Sequence, residues 1–169
     1  LTREAWYSVH LYAYLAVALS FAHQLAVGVD FTSDALARAW WIGLYGVVFG
    51  TLLAWRVGRP VWFNFRHRLR VAAVKPEANG VVSIYISGRE LERIDAEAGQ
   101  FFLWRFLTRD GWEKAHPFSL SAVPDHRFLR ITVKALGDDT RRMQHIKAGV
   151  RVFAEGPYGT FTARRRSQR

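Results

Sequence analysis

Two long apolar runs open the chain and an alternating pattern closes it. From Ala5 to Val29 no Asp, Glu, Lys or Arg interrupts the sequence, and a second uncharged run extends from Ala39 to Trp55 after the polar link Asp30 to Arg38. At about 1.5 Å per residue, a helix over the first run is long enough to cross a bilayer, and the second sits at the short limit. Trp40, Trp41 and Tyr45 lie near one end of the second run and Trp55 at the other, as in an interfacial aromatic belt. The pattern predicts two transmembrane helices, about 5–29 and 39–55, against the competing reading of two buried core helices.

From about Leu69 the period changes to two. Val82, Ile84 and Ile86 fall on one face of a strand and Ser83, Tyr85 and Ser87 on the other, while Leu129, Ile131 and Val133 alternate with Arg130, Thr132 and Lys134. Further strands are predicted at 99–107, 116–122 and 150–156, with turns at Asn79-Gly80, Asp110-Gly111 and Pro124-Asp125 and one helix from Thr140. About six short strands with a single helix predict a small closed barrel. The expected fold is therefore transmembrane α-helices followed by an all-β antiparallel barrel. The domains expected are a membrane portion at 1–58, a basic juxtamembrane linker at 59–68, a β-barrel at 69–162 and a basic tail at 163–169.

Charge adds direction. Arg56, Arg59, Arg66, Arg68 and Arg70, with His67, follow the second run without an acid, whereas the Asp30 to Arg38 link holds two acids and one base. The positive-inside rule then places the link outside and everything after Arg56 in the cytoplasm, giving a multi-pass protein of the cell membrane. The basic stretch reads as an anchor at an anionic lipid surface rather than a nucleic-acid site. Across 169 residues, 24 Lys and Arg against 14 Asp and Glu leave a formal charge of +10, which calls for an anionic partner. There is no cysteine, so disulfides, zinc–thiolate sites, iron–sulfur clusters and cysteine nucleophiles are excluded. Half of the residues are apolar, which excludes a disordered chain. The first residue is Leu, without a signal-peptide pattern ahead of the first run, and the chain is read as a segment of a longer protein.

His10 and His23 are the candidate chemistry of the first run. A histidine inside a membrane helix is costly and faces a partner or cofactor. Neutral imidazole is an axial ligand for haem iron, and hydrogen-bonded glue between helices is the equally open alternative. The two lie about 20 Å apart along a helix and roughly 140° apart around it, so a bend is needed to aim both at stacked cofactors. His67, His126 and His145 read as surface residues, and Arg93, Trp112 and Lys114 as solvated faces or rim packing.

The strand-rich half carries three ordered motifs: His116-Pro117-Phe118-Ser119, then Lys134 with Gly137-Asp138-Asp139-Thr140, then Gly156-Pro157-Tyr158-Gly159. Pro117 fixes a strand entry, Phe118 offers a flat apolar ring, and the Ser119 hydroxyl can hydrogen-bond a ring nitrogen. Thr140 is a candidate N-cap, which would make the Gly137 turn a site for a pyrophosphate.

In that order, behind a histidine-bearing apolar helix, these motifs resemble ferric-reductase-like membrane proteins joined to a ferredoxin-reductase-type FAD-binding domain. The superfamily includes the NADPH oxidases and bacterial ferredoxin-reductase-family membrane proteins. The resemblance implies FAD, with Phe118 against the flavin ring, Ser119 at its reactive nitrogen as the catalytic residue, and His116 towards the ribityl or phosphate portion. Pro117 completes the motif; Lys134, Gly137 and Thr140 match the second FAD motif, and Gly156, Pro157, Tyr158 and Gly159 match the turn beside the flavin. His10 and His23 match haem ligands, each for a different haem b. Asp139 stands where family members often carry a bulky ring, and it adds a carboxylate beside the expected pyrophosphate. The implied activity passes electrons from NAD(P)H through FAD and haem to an external acceptor, ferric iron or dioxygen. The NAD(P)H domain and the partner haem helix would lie outside this chain, which alone is not expected to turn over NAD(P)H. A membrane-anchored, non-catalytic binding module for anionic lipid or an acidic protein is the alternative.

Overall fold

A computed structural model of the chain describes residues 3–97 and 100–159. Gly99, the end of the expected FAD-binding domain at 160–162 and the basic tail 163–169 lie outside the described residues. The chain divides into two units, Leu1–Ala54 and Trp55–Arg169.

The described residues of the first unit form α1 (Arg3–Val27), α2 (Val29–Ser33) and α3 (Ala35–Leu53). Gly28, in an extended conformation, separates α1 from α2. Asp34 starts α3, its carboxylate accepting from the backbone N–H of Leu36 at 2.8 Å and of Ala37 at 3.1 Å, which satisfies two of the donors that a helix N-terminus leaves open. The expected polar link is thus itself largely helical, with Asp34 as the cap of α3 and the Ser33 hydroxyl donating back to the Val29 carbonyl at 2.6 Å. No residue of α3 is buried, and Leu11, Leu15 and Leu19 of α1 are exposed. Ser8–Val27 and the helical run Ala35–His67 are long and apolar enough to cross a membrane.

In the second unit a five-residue π-helical stretch, Ala54–Gly58, leads into α4 (Arg59–His67), with Pro60 in its first turn. The segment 59–68, expected as a basic juxtamembrane linker, is thus largely helical, and its pattern is amphipathic. Asn64, Phe63 and His67 face inward, while Val61, Trp62 and Phe65 are exposed. Arg68 ends α4 in a left-handed conformation. His67, expected at the surface, is 5% exposed: its Nδ1 lies 2.9 Å from the Arg89 carbonyl, and its ring meets Phe63 at 4.6 Å.

The strands follow as β1 (Arg70–Ala78), β2 (Val81–Ser87), β3 (Phe101–Phe106), β4 (His116–Ser119), β5 (Leu129–Lys134) and β6 (Val152–Tyr158), with α5 (Asp138–Met143) between the last two. They pair antiparallel in two three-stranded sheets, β1-β2-β5 and β4-β3-β6. Ile84 lies opposite Ile131, and Trp104 opposite Ala154. All four have essentially no exposed surface and, with Leu69, Val71, Phe102, Leu129 and Val152, form the core between the sheets.

The closed barrel is a correction. The sheets meet through isolated bridges, Arg70 opposite Arg151 and Leu120 opposite Ile131. At the first seam, β1 has only just begun at Arg70, and beyond it the free edge of β6 belongs to α4. Asn64 Nδ2 donates to the Ala154 carbonyl at 2.7 Å, and its Oδ1 accepts from the Ala154 N–H at 2.8 Å. One side-chain amide stands in for a strand residue and blunts the edge. Asn64→Ala leaves the buried Ala154 backbone without partners and is expected to destabilise this unit by about 2 to 3 kcal/mol. The measurement is thermal melting of the chain by tryptophan fluorescence; an unchanged midpoint would refute the role of this contact.

Candidate functional site

The first motif forms β4, at the edge of its sheet. His116 and Phe118 lie opposite Trp104 and Phe102, on the core side, whereas Pro117 and Ser119 lie opposite Leu103 and Phe101 on the outer side. Phe118 is half-buried against the core, and Trp104 Nε1 donates to its carbonyl at 3.0 Å, pinning the edge strand. Proline is tolerated here because an edge strand does not need every N–H. On the outer face a cross-strand row runs Ser119, Phe101, Tyr158. The Phe101 and Tyr158 rings are 5.6 Å apart, and the exposed Ser119 hydroxyl has no hydrogen-bond partner among the described residues. The result is an aromatic ledge with a free hydroxyl at its end.

The third motif ends β6 beside this row. Gly156 has φ of 153°, and a Cβ there would come within 2.7 Å of the Phe102 ring, so glycine is required for strand and core to meet. Tyr158 donates its hydroxyl to Glu155 Oε1 at 2.7 Å, and Arg56 makes a charged hydrogen bond to the same oxygen. Arg105 Nη1 lies 3.7 Å from the other oxygen. Burial pulls the Glu155 carboxyl upward, but the Tyr158 hydroxyl and the two guanidiniums outweigh it and hold the acid below the usual carboxylate range. Burial, with the Glu155 hydrogen bond and charge, pushes the Tyr158 phenol up, so it stays a donor. Arg56, Glu155, Gly156 and Tyr158 line a cleft of about 500 Å³ with Trp55, Arg59 and Phe63.

The second motif is split. Gly137, not Thr140, is the N-cap of α5; Thr140 sits in the first turn, and its hydroxyl reaches back to accept from the N–H groups of Leu136 and Gly137, both at 2.9 Å. A Cβ on Gly137 would meet nothing within 4 Å, so the turn is open on its outer side. Lys134 is exposed at the end of β5, opposite Val81. It does not line the cleft of about 660 Å³ that brings His116 together with Arg109, Lys114, Asp139, Arg142 and Lys147.

The Asp139 carboxylate, awkward beside an anion on sequence grounds, is held by Lys114 Nζ at 2.8 and 3.0 Å. Lys114 is thus exposed but paired, and so is Arg93, with Glu90 at 2.9 Å. The Lys114 hydrogen bond keeps Asp139 low, while burial, aided by Lys114 and opposed by Asp139, pushes the His116 imidazole down. His116 is thus predominantly neutral near pH 7, leaving the cationic character of the cleft to Arg109, Arg142 and Lys147.

These features suit a ligand with a flat aromatic ring at one end and phosphates at the other. A model of the FAD-binding domain matches residues 64–162. The chain belongs to the FAD-binding domain family. No curated protein matches it. Among solved structures it is similar to an NADH-dependent reduced ferredoxin-NADP oxidoreductase, described in work on flavin-based electron bifurcation. The two are 22% identical, with a TM-score of 0.45, over 54% of this chain and 32% of the other. The chain thus spans about a third of that protein's length. The match to the FAD-binding domain family begins at Asn64, in the last turn of α4, and so includes the side chain that blunts β6.

For haem the residues fit less completely. His10 and His23 are exposed on α1, and the His10 ring stacks on Trp6 at 4.2 Å. The remaining histidines, 67, 116, 126 and 145, belong to the second unit. The first unit therefore offers single imidazoles and no facing pair.

Glu155, the pairing of Lys114, and Asn64 escaped the reading of the sequence. Their partners are 99, 25 and 90 positions away, and no local pattern encodes such pairs. The folded Glu155 holds its charge more firmly than the unfolded chain does. Its stabilisation is complete above about pH 4.5 and is lost as pH falls through its lower folded value. Glu155→Gln is expected to be less stable than wild type at neutral pH, with the gap closing below about pH 4.5. Melting midpoints at a series of pH values measure this; a gap of constant size would refute the charged network.

Proposed function

We propose that the chain is the flavin-carrying part of a membrane flavohaem oxidoreductase that passes electrons from NAD(P)H, bound by a domain outside this chain, to haem and an external acceptor, ferric iron or dioxygen. The observation that carries the flavin part is the free Ser119 hydroxyl at the end of the Phe101 and Tyr158 ledge, in a chain of the FAD-binding domain family. FAD, when bound, supplies the conversion of a two-electron donor into one-electron steps.

The chain's own residues position and polarise. Ser119 can donate to a ring nitrogen, where charge changes on reduction, and a preorganised donor there is worth more than one in water. Tyr158, held by Glu155, and Phe101 supply apolar ring surface and exclude water from one side. His116, neutral, serves as a hydrogen-bond partner towards the ribityl or phosphate end, and Arg109, Arg142 and Lys147 offset phosphate charge. The open Gly137 turn, steadied by Thr140, leaves room for the pyrophosphate. Support for a membrane setting comes from the two long apolar helices with exposed side chains, and the arginine-rich stretch after Trp55 supports a cytoplasmic side for the flavin unit by the positive-inside rule. His10 and His23 are proposed as single axial donors for haem b, the opposing ligands coming from outside this chain; no step is derived through them.

Two experiments test this reading. In the purified chain, Ser119→Ala is expected to keep bound flavin absorbance but to slow reduction by dithionite roughly tenfold or more, while Tyr158→Ala, which removes a ring of the outer ledge, loosens flavin by on the order of 1 kcal/mol. Equal occupancy and equal rates in wild type and both variants would overturn the site. Separately, membranes containing the longer parent protein are expected to show flavin absorption and a b-type haem band, with His10→Ala and His23→Ala each removing about one haem. Unchanged haem content in both would leave the histidines as helix glue, and the lack of both spectra would favour a non-catalytic anchored module.

A further inference from the structure

A cavity of the second unit, of about 720 Å³, contains none of the three motifs. Four arginines from three separate stretches of chain line it, with no acid: Arg68 and Arg70 where α4 passes into β1, Arg89 after β2 and Arg151 before β6. Among the described residues none of the four has a carboxylate partner. The nearest acid in sequence, Glu90, is engaged by Arg66 at 2.8 Å and Arg93 at 2.9 Å.

The fold holds these charges together at a cost. Arg70 and Arg151 are directly opposite each other in the bridge that joins the two sheets, a placement in which like charges repel. Arg68 sits at positive φ. Arg89 is tied to α4 by its N–H to the His67 carbonyl at 2.7 Å and by its own carbonyl to His67 Nδ1 at 2.9 Å. Gly88 permits that approach, since a Cβ there would come within 2.7 Å of the His67 carbonyl. The buried His67 thus acts as a positioning residue for Arg89. The rim is apolar: Phe65, 64% exposed with the Arg68 guanidinium 5.4 Å from its ring, and Leu107, 44% exposed.

Guanidinium groups match phosphate oxygens as planar forks, and an unpaired set gains from an anion what it loses to mutual repulsion. We propose that this cavity is a second anion site that binds a phosphate group, presented as the headgroup of an anionic phospholipid whose chains run over Phe65 and Leu107. The lipid source rests on the membrane reading above; the phosphate chemistry does not.

The test uses the full 169-residue chain in a neutral detergent, saturated with FAD so that the flavin site is filled, at about 0.15 M salt. Its melting midpoint is followed while short-chain phosphatidylglycerol, short-chain phosphatidylcholine or inorganic pyrophosphate is added. The expected result is a saturable rise with phosphatidylglycerol, none with phosphatidylcholine, and at least a roughly tenfold weaker response in Arg70→Gln/Arg151→Gln and in Arg68→Gln/Arg89→Gln. Without any anion, the Arg70→Gln/Arg151→Gln variant is expected to melt no lower than wild type, since repulsion is removed, and to keep its flavin. Saturation by pyrophosphate but not by phosphatidylglycerol would uphold the phosphate site and overturn the lipid source. No saturable response to either anion, or equal responses in wild type and both variants, would overturn the site itself.

Discussion

The Asn64 amide on the Ala154 backbone is the contact around which the second unit is arranged. A sheet edge must be paired, covered or charged, and β6 is the strand that carries both Glu155 and the Gly156 to Gly159 turn. By taking the edge of β6, α4 closes the core over Phe102, which Phe63 meets at 6.3 Å. The same docking brings Arg56 to the Glu155 carboxylate and sets His67 against Arg89. A single side chain with one donor and one acceptor can do this because it reproduces the hydrogen-bonding pair of a strand residue at one position. Where that mimicry ends, towards Arg151, the short bridge to β1 begins.

From this arrangement the charge acquires a layout that composition does not reveal. A formal +10 is not spread evenly. Arg56 and Arg105 converge on Glu155 and stiffen the wall beside Tyr158, while Lys114 neutralises Asp139 beside His116. Arg66 and Arg93 share Glu90. Each of these clusters contains its own acid. The cavity of Arg68, Arg70, Arg89 and Arg151 does not, and this difference separates cations that hold the protein together from cations that remain available to a ligand. Exposed pairs such as Arg66 with Glu90 contribute little to stability in salt.

The flavin-facing surface follows from strand alternation. In His116 to Ser119, period two sends His116 and Phe118 to the core side and Pro117 and Ser119 outward. The motif therefore does two tasks at once, anchoring an edge strand through Phe118 and presenting a hydroxyl through Ser119. The ring surface next to that hydroxyl comes from Phe101 and Tyr158, on neighbouring strands, which is why a free serine at a strand end becomes a recognition element only after β3 and β6 are in register.

Much was legible from local pattern. The uncharged runs determined α1 and α3, since apolar length is itself the signal, and the alternation at 82–86 and 129–133 determined β2 and β5 because a half-buried strand must repeat every second residue. The ordered motifs at 116–119, 137–140 and 156–159 identified the FAD-binding half, and their spacing is a property of the chain alone. What tertiary structure decided were the pairings across long separations: that 59–67 is a helix docked on β6, that the sheets meet at isolated bridges instead of closing, that Gly137 rather than Thr140 caps α5, and that His67 is buried. Lys134 and His116 both belong to motifs read from the sequence, yet only His116 lines the basic cleft, since strand direction places Lys134 on the far side of β5. The physical reason is the same throughout. Periodicity is written between neighbours, whereas an ion pair, a sheet edge or a shared cavity exists only once distant segments are brought side by side.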